Sequence, residues 1–526
     1  MNDAKCNPNE VEPNSDPRIM SKKKWNWWRW RNSRTTKETA AADFAREASY
    51  TEAASHVDRH LPVLFLVLGL AIGLLYTFVM PPLQVADEIQ HFARLYSVSR
   101  GICIASPDID MPKSFAQLNE LFPGWLETRR KISIAELRSS LKMPSNESVM
   151  AGNARQRSLD GFINQNLYCC LPYVPAAVVL NAGRHLGLSP LALMYVSRVS
   201  NLAAYLALTF FALRLLPDFR WVLFCVALMP MAMHQAASVS ADSTGFALTF
   251  LLCAYVFRLA FMKQTETIGT RQYAALGMLI LLAALSRSQL AVVALPLVIP
   301  PARFRSRRNR RLAIAAYTLL VVLCVGFWQH VNQPNFERLA EERITRPRAG
   351  LPVVDVHSNV RFFYEHPVET ASIFVHSMTD FDYMLAISKE MVGKFGWLSV
   401  SLPDWLVFLY LGLLVAAAAT QIRDTNLTGF ARGMLLLFVT AGAANTMAAG
   451  WVLETPRAVL DVPTFWKGFR VYSQGRYWIP LAFPALILLA NTKARLNPRV
   501  FAGIAVAVIL IANGVAIDAI HTTYYN

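Results

Sequence analysis

Apolar runs of about 18 residues or more recur along this chain, for example at 61 to 80, 311 to 330 and 500 to 520. A helix of that length covers a hydrocarbon core of about 30 Å. Buried in lipid, a backbone must satisfy its own hydrogen bonds, and a helix does so within one segment. With 54% hydrophobic and only 16% charged residues in 526, the chain reads as an all-α integral membrane protein rather than a soluble domain.

Spans are expected near 61–80, 190–213, 220–239, 243–263, 273–286, 289–302, 311–330, 403–420, 433–451, 476–492 and 500–520, about eleven crossings. The membrane domain then covers 61 to 522. The net charge of +16 reports orientation, because Lys and Arg gather in alternate loops such as "RFRSRRNRR" at 303 to 311. Two apolar stretches leave the parity open, 170 to 187 and 273 to 300. Placing 170 to 187 at the outer interface and splitting 273 to 300 puts Arg214, Arg220, Lys263 and Arg271 on the cytoplasmic side, and this arrangement is preferred.

Residues 1 to 60 read as a basic and aromatic cytoplasmic tail without the apolar core of a cleavable signal. Trp25, Trp27, Trp28 and Trp30 alternate there with Lys and Arg in "KKKWNWWRWR", a composition suited to an anionic leaflet. A disordered tail with no specific partner is the plainer reading, and nucleic acid is not expected as a ligand. The N-terminus is cytoplasmic on this topology, and the segments 81 to 189, 331 to 402 and 452 to 475 are external.

The stretch "PPLQVADEIQHFARLYSVSRG" at 81 to 101 opens the first external loop. Pro81 and Pro82 end the span, and a short amphipathic helix is expected from Val85 to about Ser99, stopped by Gly101. Gln84, Asp87, His91 and Arg94 share one face, which suits an interfacial helix lying along the bilayer surface. Asp87 or Glu88 is a candidate general base or metal ligand, with His91 one turn away. Acidic residues favoured in a first helical turn give an equally good account.

That stretch, together with "LMPMAMHQAASVSAD" (228–242), "GKFGWL" (393–398) and "QGRYWIP" (474–480), resembles the bacterial multi-pass family called domain of unknown function 2142. The family is in turn similar in layout to GT-C glycosyltransferases, which move a sugar from a polyprenyl phosphate carrier on the outer face. The resemblance implies an acidic residue just after the first span, here Asp87 with Glu88 beside it, and a second acid at Asp242. It implies a bacterial cytoplasmic membrane location, a lipid-linked sugar donor, and envelope polysaccharide assembly proteins as partners.

A departing polyprenyl phosphate calls for guanidinium or ammonium groups in a partly dehydrated place. Arg476 is the first candidate, with Gln474 and Tyr477 beside it, then Arg287, Lys394 and Arg94. Ordinary explanations stand beside each: a snorkelling Arg476 in an aromatic belt, a polar turn at Arg287, a helix cap at Ser240 or Asp242, packing roles for His234 and Gln235. Asp380 and Asp382 in "MTDFDYM" are further acids of the second external loop. No cofactor is demanded, although a divalent cation such as Mg or Mn on Asp87 would suit the chemistry.

The seven cysteines form no CxxC pattern. Cys103, Cys169 and Cys170 are expected to be reduced and buried at the interface, the alternative in an oxidising compartment being a bridge from Cys103 to Cys169 or Cys170. Absence of P-loop, GxGxxG, HExxH and GxSxG motifs argues against the familiar nucleotide, zinc and hydrolase chemistries. The sequence therefore points to a membrane glycosyltransferase-like protein. The alternatives are a transporter or flippase of lipid-linked glycan, for which Pro230 and Pro296 supply broken spans, and a non-catalytic envelope assembly partner.

Overall fold

The structure is a computed structural model that describes residues 58–105, 112–123, 129–145, 162–262, 265–287, 290–345, 352–419, 427–460, 468–490 and 497–525. The tryptophan-rich segment 22–31 lies outside them.

Within those residues the protein is nearly all-α. Six helices are long and apolar enough to cross a membrane: α1 (Asp58–Val79), α6 (Pro190–Leu215), α9 (Ala241–Ala260), α11 (Arg307–Val331), α17 (Gly429–Glu454) and α20 (Pro498–Tyr524). Two more are apolar but shorter, α10 (Thr270–Arg287) and α16 (Asp404–Ala419). The remaining expected spans are interrupted by proline, which removes a backbone donor and crowds the preceding turn. Segment 220–239 divides into α7 (Arg220–Ala227) and α8 (Pro230–Ala236), with Pro230 opening the second piece. Pro296 sits in a 3-10 helix, Leu290–Val298, and Pro484 inside α19 (Ile479–Leu488).

Helix α9 is the centre of the bundle. Its most apolar stretch is 83% buried, whereas that of α11 is 22% buried and so turns mostly outward. Burial of α9 is matched by its caps: Ser240 Oγ accepts the Asp242 N–H at 3.1 Å, and Asn201 of α6 donates to the Ser238 and Ser240 carbonyls at 2.8 and 3.2 Å. The polar turn before α9 is thereby satisfied inside the protein, as a low-dielectric interior requires.

The segment after α1 packs α2 (Glu88–Ser99), α3 (Lys113–Leu121), α4 (Ile134–Leu141) and α5 (Val174–His185) over one end of the bundle. Residues Glu88 to Ser97 of α2 are all buried. The helix expected to lie along the bilayer surface is thus covered by protein on its polar face as well. Phe92 stacks on Phe115 and Tyr96 meets the same ring edge-on, while the polar face meets protein partners instead of water. The helix also starts at Glu88 rather than Val85, because Leu83 and Asp87 take left-handed backbone angles, φ 60° and 64°. Helix α5 exposes Val174 and Val178 along one side, consistent with an interfacial helix.

Cys103 and Cys170 form a disulfide across 67 residues, and Cys169 is a free buried thiol. This corrects the expectation of reduced cysteines. Arg94 reinforces the same closure by donating to the carbonyls of Ile102 at 3.1 Å, of Tyr168 at 3.4 Å and of Cys103.

The segment between α11 and α16 contributes α12 (Gln333–Thr345), α13 (Val356–Glu365), α14 (Pro367–Thr379) and α15 (Phe381–Gly393). The segment "GKFGWL" folds as a small antiparallel hairpin, β1 (Lys394–Phe395) against β2 (Val400–Ser401). Gly396 turns it at φ 63°, and a Cβ there would lie 2.5 Å from the Tyr524 hydroxyl.

Candidate functional site

Arg198, fully buried in the middle of the apolar helix α6, prepares the site. Its guanidinium gathers the carbonyls of Thr77, Met80 and Pro81 at 3.0, 2.7 and 2.9 Å. These are orphan acceptors left where α1 ends. The remaining donors meet Glu88 at 2.7 and 2.5 Å, a pair with no solvent exposure on either side chain. Glu88 Oε1 also accepts the Val239 N–H at 3.0 Å. One buried ion pair therefore ties the end of α1, the start of α2 and the turn before α9 together.

Asp87, adjacent to Glu88, is held with its backbone in the left-handed region, where Asp is tolerated better than most residues. Its Oδ2 accepts from Arg476 Nη2 at 2.5 Å. The Asp242 carboxylate approaches the same guanidinium at 3.7 Å from Nε. Arg476 further donates to the Ala86 carbonyl at 3.3 Å and to the Tyr477 hydroxyl at 3.2 Å, with its carbon atom Cζ 5.1 Å from the Tyr477 ring centroid. The Arg476 side chain is 4% exposed and that of Asp87 is 21% exposed. The guanidinium is thus sunk and the first carboxylate reaches solvent.

His91 completes this group one turn along α2. Its Nδ1 is 2.6 Å from the Tyr173 hydroxyl. Burial lowers the imidazole pKa to about 4, with Asp242 and Asp87 opposing that fall. Burial also pushes the Tyr173 hydroxyl well up. Tyr173 keeps its proton and the imidazole is neutral, so the two share a hydrogen bond between uncharged groups.

The loop carrying Arg476 is fixed from behind. The Gly475 N–H donates to Glu390 of α15 at 3.1 Å, and Glu390 pairs with Lys394 at 3.0 Å. Gly475 is required by contact, since a Cβ would fall 2.3 Å from the Met391 nitrogen and 2.5 Å from the Ile387 carbonyl oxygen. Trp397 donates to the Leu83 carbonyl at 3.3 Å, and Phe395 lies against His234 with ring centroids 5.4 Å apart. Segments 81–101, 228–242, 393–398 and 474–480, far apart in the chain, all meet here.

The sequence of a family described as Predicted membrane protein (DUF2142) matches residues 70–485. The chain belongs to this family. No curated protein and no solved structure matches it. All of the segments that meet at Arg476 fall inside the matched DUF2142 region.

Among the residues singled out from sequence, Asp87, Asp242, Arg476, Tyr477 and His91 converge in this DUF2142 member. Glu88 is adjacent but engaged with Arg198. Lys394 is engaged with Glu390, behind the Arg476 loop, and its flanking glycines serve the hairpin. Arg94 spends Nη1 and Nη2 on loop carbonyls, and Gln474 donates to the Tyr472 hydroxyl at 3.0 Å. The Arg287 side chain lies outside the described residues. Asp380 pairs with Arg470 at 2.7 Å and caps α15 through the Tyr383 N–H, while Asp382 is exposed.

Sequence reasoning missed Tyr173 and Glu390. The i, i+4 spacing of Glu390 and Lys394 was the available signal for the second; nothing in the sequence marked the first. Among the described residues no group of three or more His, Cys, Asp or Glu side chains is placed to hold a metal ion. Between Asp87 and Asp242 a guanidinium already takes the position a divalent cation would need, so the donor set does not fit one.

Proposed function

We propose that this DUF2142 protein is a GT-C-like glycosyltransferase of the bacterial cytoplasmic membrane. It transfers a sugar from a polyprenyl phosphate carrier to an envelope glycan or protein acceptor at the external face. The observation that carries this reading is the convergence of Asp87, Asp242 and Arg476, one partly wet carboxylate and one sunk guanidinium, beside the outer end of α1. The disulfide in the same loop supports the external side, because such bridges persist in oxidising compartments.

In the proposed reaction Arg476 exchanges part of its contact with Asp87 for the oxygens of the donor phosphate. That exchange binds the donor and at the same time frees the carboxylate to act as a base. Asp87 takes the proton of the acceptor hydroxyl as the oxygen attacks the anomeric carbon from the face opposite the phosphate. The bond from anomeric carbon to phosphate oxygen breaks, and polyprenyl phosphate leaves with the electron pair. Configuration at the sugar inverts. Asp242 keeps the guanidinium oriented. A site at headgroup depth suits a donor whose chain stays in hydrocarbon.

The test uses purified protein in nanodiscs with polyprenyl-phosphate-linked sugars and compares wild type with Asp87→Asn and Arg476→Ala, scoring sugar release and carrier binding separately. Release lost in Asp87→Asn with carrier binding retained, and binding lost in Arg476→Ala, is expected. Retained release in Asp87→Asn overturns the base assignment. In liposomes, movement of unaltered carrier across the bilayer favours a flippase, and neither release nor movement favours an assembly partner.

A further inference from the structure

Helices α14 and α15 of the second external loop expose large apolar side chains that the site does not use. On α14, Val368, Ala371, Val375 and Thr379 are exposed at helical spacing, with Ser372 and His376 exposed beside them. Val368 and Val375 are 76% and 59% exposed, and Phe381 at the start of α15 is 77% exposed. Side chains of this kind turned to water on two successive helices form a patch that a soluble surface rarely keeps.

The surroundings identify what covers it. Along α15, Phe381, Leu385 and Lys389 follow one another at i, i+4 and i+8. Lys389 then pairs with Asp404 at 2.8 Å and sits 5.7 Å from the Phe408 ring centroid. Asp404 opens the apolar helix α16, whose Trp405, Phe408 and Leu409 are exposed. On a membrane helix those residues face lipid. An ammonium placed above such a ring, next to an exposed Trp, marks the level where hydrocarbon gives way to headgroups. Through Lys389 the stripe of α15 adjoins that lipid-facing surface, and Val368 and Val375 continue the apolar exposure on the preceding helix.

We infer that the α14–α15 hairpin is seated in the outer leaflet as an interfacial element, its partner being the lipid surface itself. The hairpin crosses nothing; it lies in the interface with Val368, Val375 and Phe381 toward the acyl chains and Asp382 toward water. Glu390 on α15 grips the Gly475 N–H, and no Cβ fits between the two. The depth of the hairpin therefore sets the depth of Arg476. This seating stands whether or not the protein transfers sugar.

Nitroxide labels on single added cysteines, in the full chain reconstituted into liposomes, test the seating. Val375→Cys and Phe381→Cys are compared with Phe408→Cys as the lipid reference and with His357→Cys and Glu365→Cys as water references, after subtracting the signal of labelled wild type. Collision with oxygen exceeding collision with a water-soluble nickel chelate severalfold at Val375 and Phe381, as at Phe408, is the expected result. Ratios at Val375 and Phe381 matching His357 and Glu365 overturn the inference. Dipolar broadening at Val375 or Phe381 that disappears on dilution with unlabelled protein also overturns it, by assigning the face to a second copy of the chain.

Discussion

Asp87 Oδ2 and Arg476 Nη2 are 2.5 Å apart although 389 positions separate the two residues. A second ion pair, Glu88 with Arg198, stands on the next residue with neither side chain exposed. The two pairs have the same chemistry and different surroundings. Glu88 is saturated by Arg198 and the Val239 N–H, all inside the protein. Asp87 keeps partial access to solvent and shares its guanidinium with Asp242.

Substitution should separate these roles. Glu88→Gln leaves the Arg198 charge buried without its counterion, and breaking such a pair costs about 3 to 5 kcal/mol. A large drop in the unfolding midpoint in detergent is expected for Glu88→Gln. Asp87→Asn should keep a midpoint close to wild type, yet reduce sugar release about 100-fold or more through loss of the base. Thermal unfolding by fluorescence, run beside the release assay, checks both; equal stability losses in the two variants would count against the division.

The disulfide makes a separate prediction. Mass mapping under non-reducing conditions should recover Cys103 linked to Cys170 and Cys169 as a free thiol. Closing a 67-residue loop is worth about 4 kcal/mol in the chain-entropy model. Cys103→Ser should therefore lower the unfolding midpoint of the purified protein, and a reductant should move wild type toward the same value without affecting the variant. A midpoint unchanged by either treatment would show that Arg94 alone holds the loop.

Helical segments and the identity of the Asp87 and Arg476 pair were legible because hydropathy reports apolar length and the family stretches carry the charged residues. The direction of α2 was not. A polar stripe of Gln84, Asp87, His91 and Arg94 has the same period whether it faces water or buried partners, and only the packing of Tyr173 and Arg476 against it decides. Arg198 was visible as an anomaly within an apolar span, but its acceptors belong to the chain end of another helix. Arg94 shows the same limit from the other side: a basic residue on the site-bearing helix reads as a ligand, while its donors serve main-chain carbonyls. Interrupted spans at Pro230, Pro296 and Pro484 follow from proline chemistry, whereas their depth in the bundle depends on which neighbours satisfy the freed carbonyls.

His91 gives a pH dependence with a definite sign. Folded, it titrates near 4 because burial disfavours the imidazolium, against 6.5 in its ordinary environment. Between those values the unfolded chain binds more protons, so stability rises with pH across the window and is lost as pH falls from 6.5 toward 4. The whole interval corresponds to roughly 3 kcal/mol. Unfolding midpoints of wild type and His91→Gln should run parallel above pH 7 and diverge below 6.5, with wild type showing the steeper fall. Parallel curves down to pH 4.5 would mean that the imidazole is protonated in the folded protein.

Gly475 links the membrane-seated hairpin to the guanidinium, and its replacement by alanine isolates that link. The added methyl would stand 2.3 Å from the Met391 nitrogen and 2.5 Å from the Ile387 carbonyl oxygen. Those are backbone atoms of α15, so relief requires the 475–478 turn to withdraw from the helix, which stretches the hydrogen bond from Gly475 to Glu390 and carries Arg476 away from Asp87. Carrier binding should fall at least tenfold, in step with Arg476→Ala. Glu390→Gln, which keeps an acceptor for the Gly475 N–H, should bind carrier within a fewfold of wild type. Titration of a fluorescent polyprenyl phosphate into nanodiscs holding each variant measures the difference; binding by Gly475→Ala equal to wild type would show that Arg476 is positioned by its carboxylates and not by the hairpin behind it.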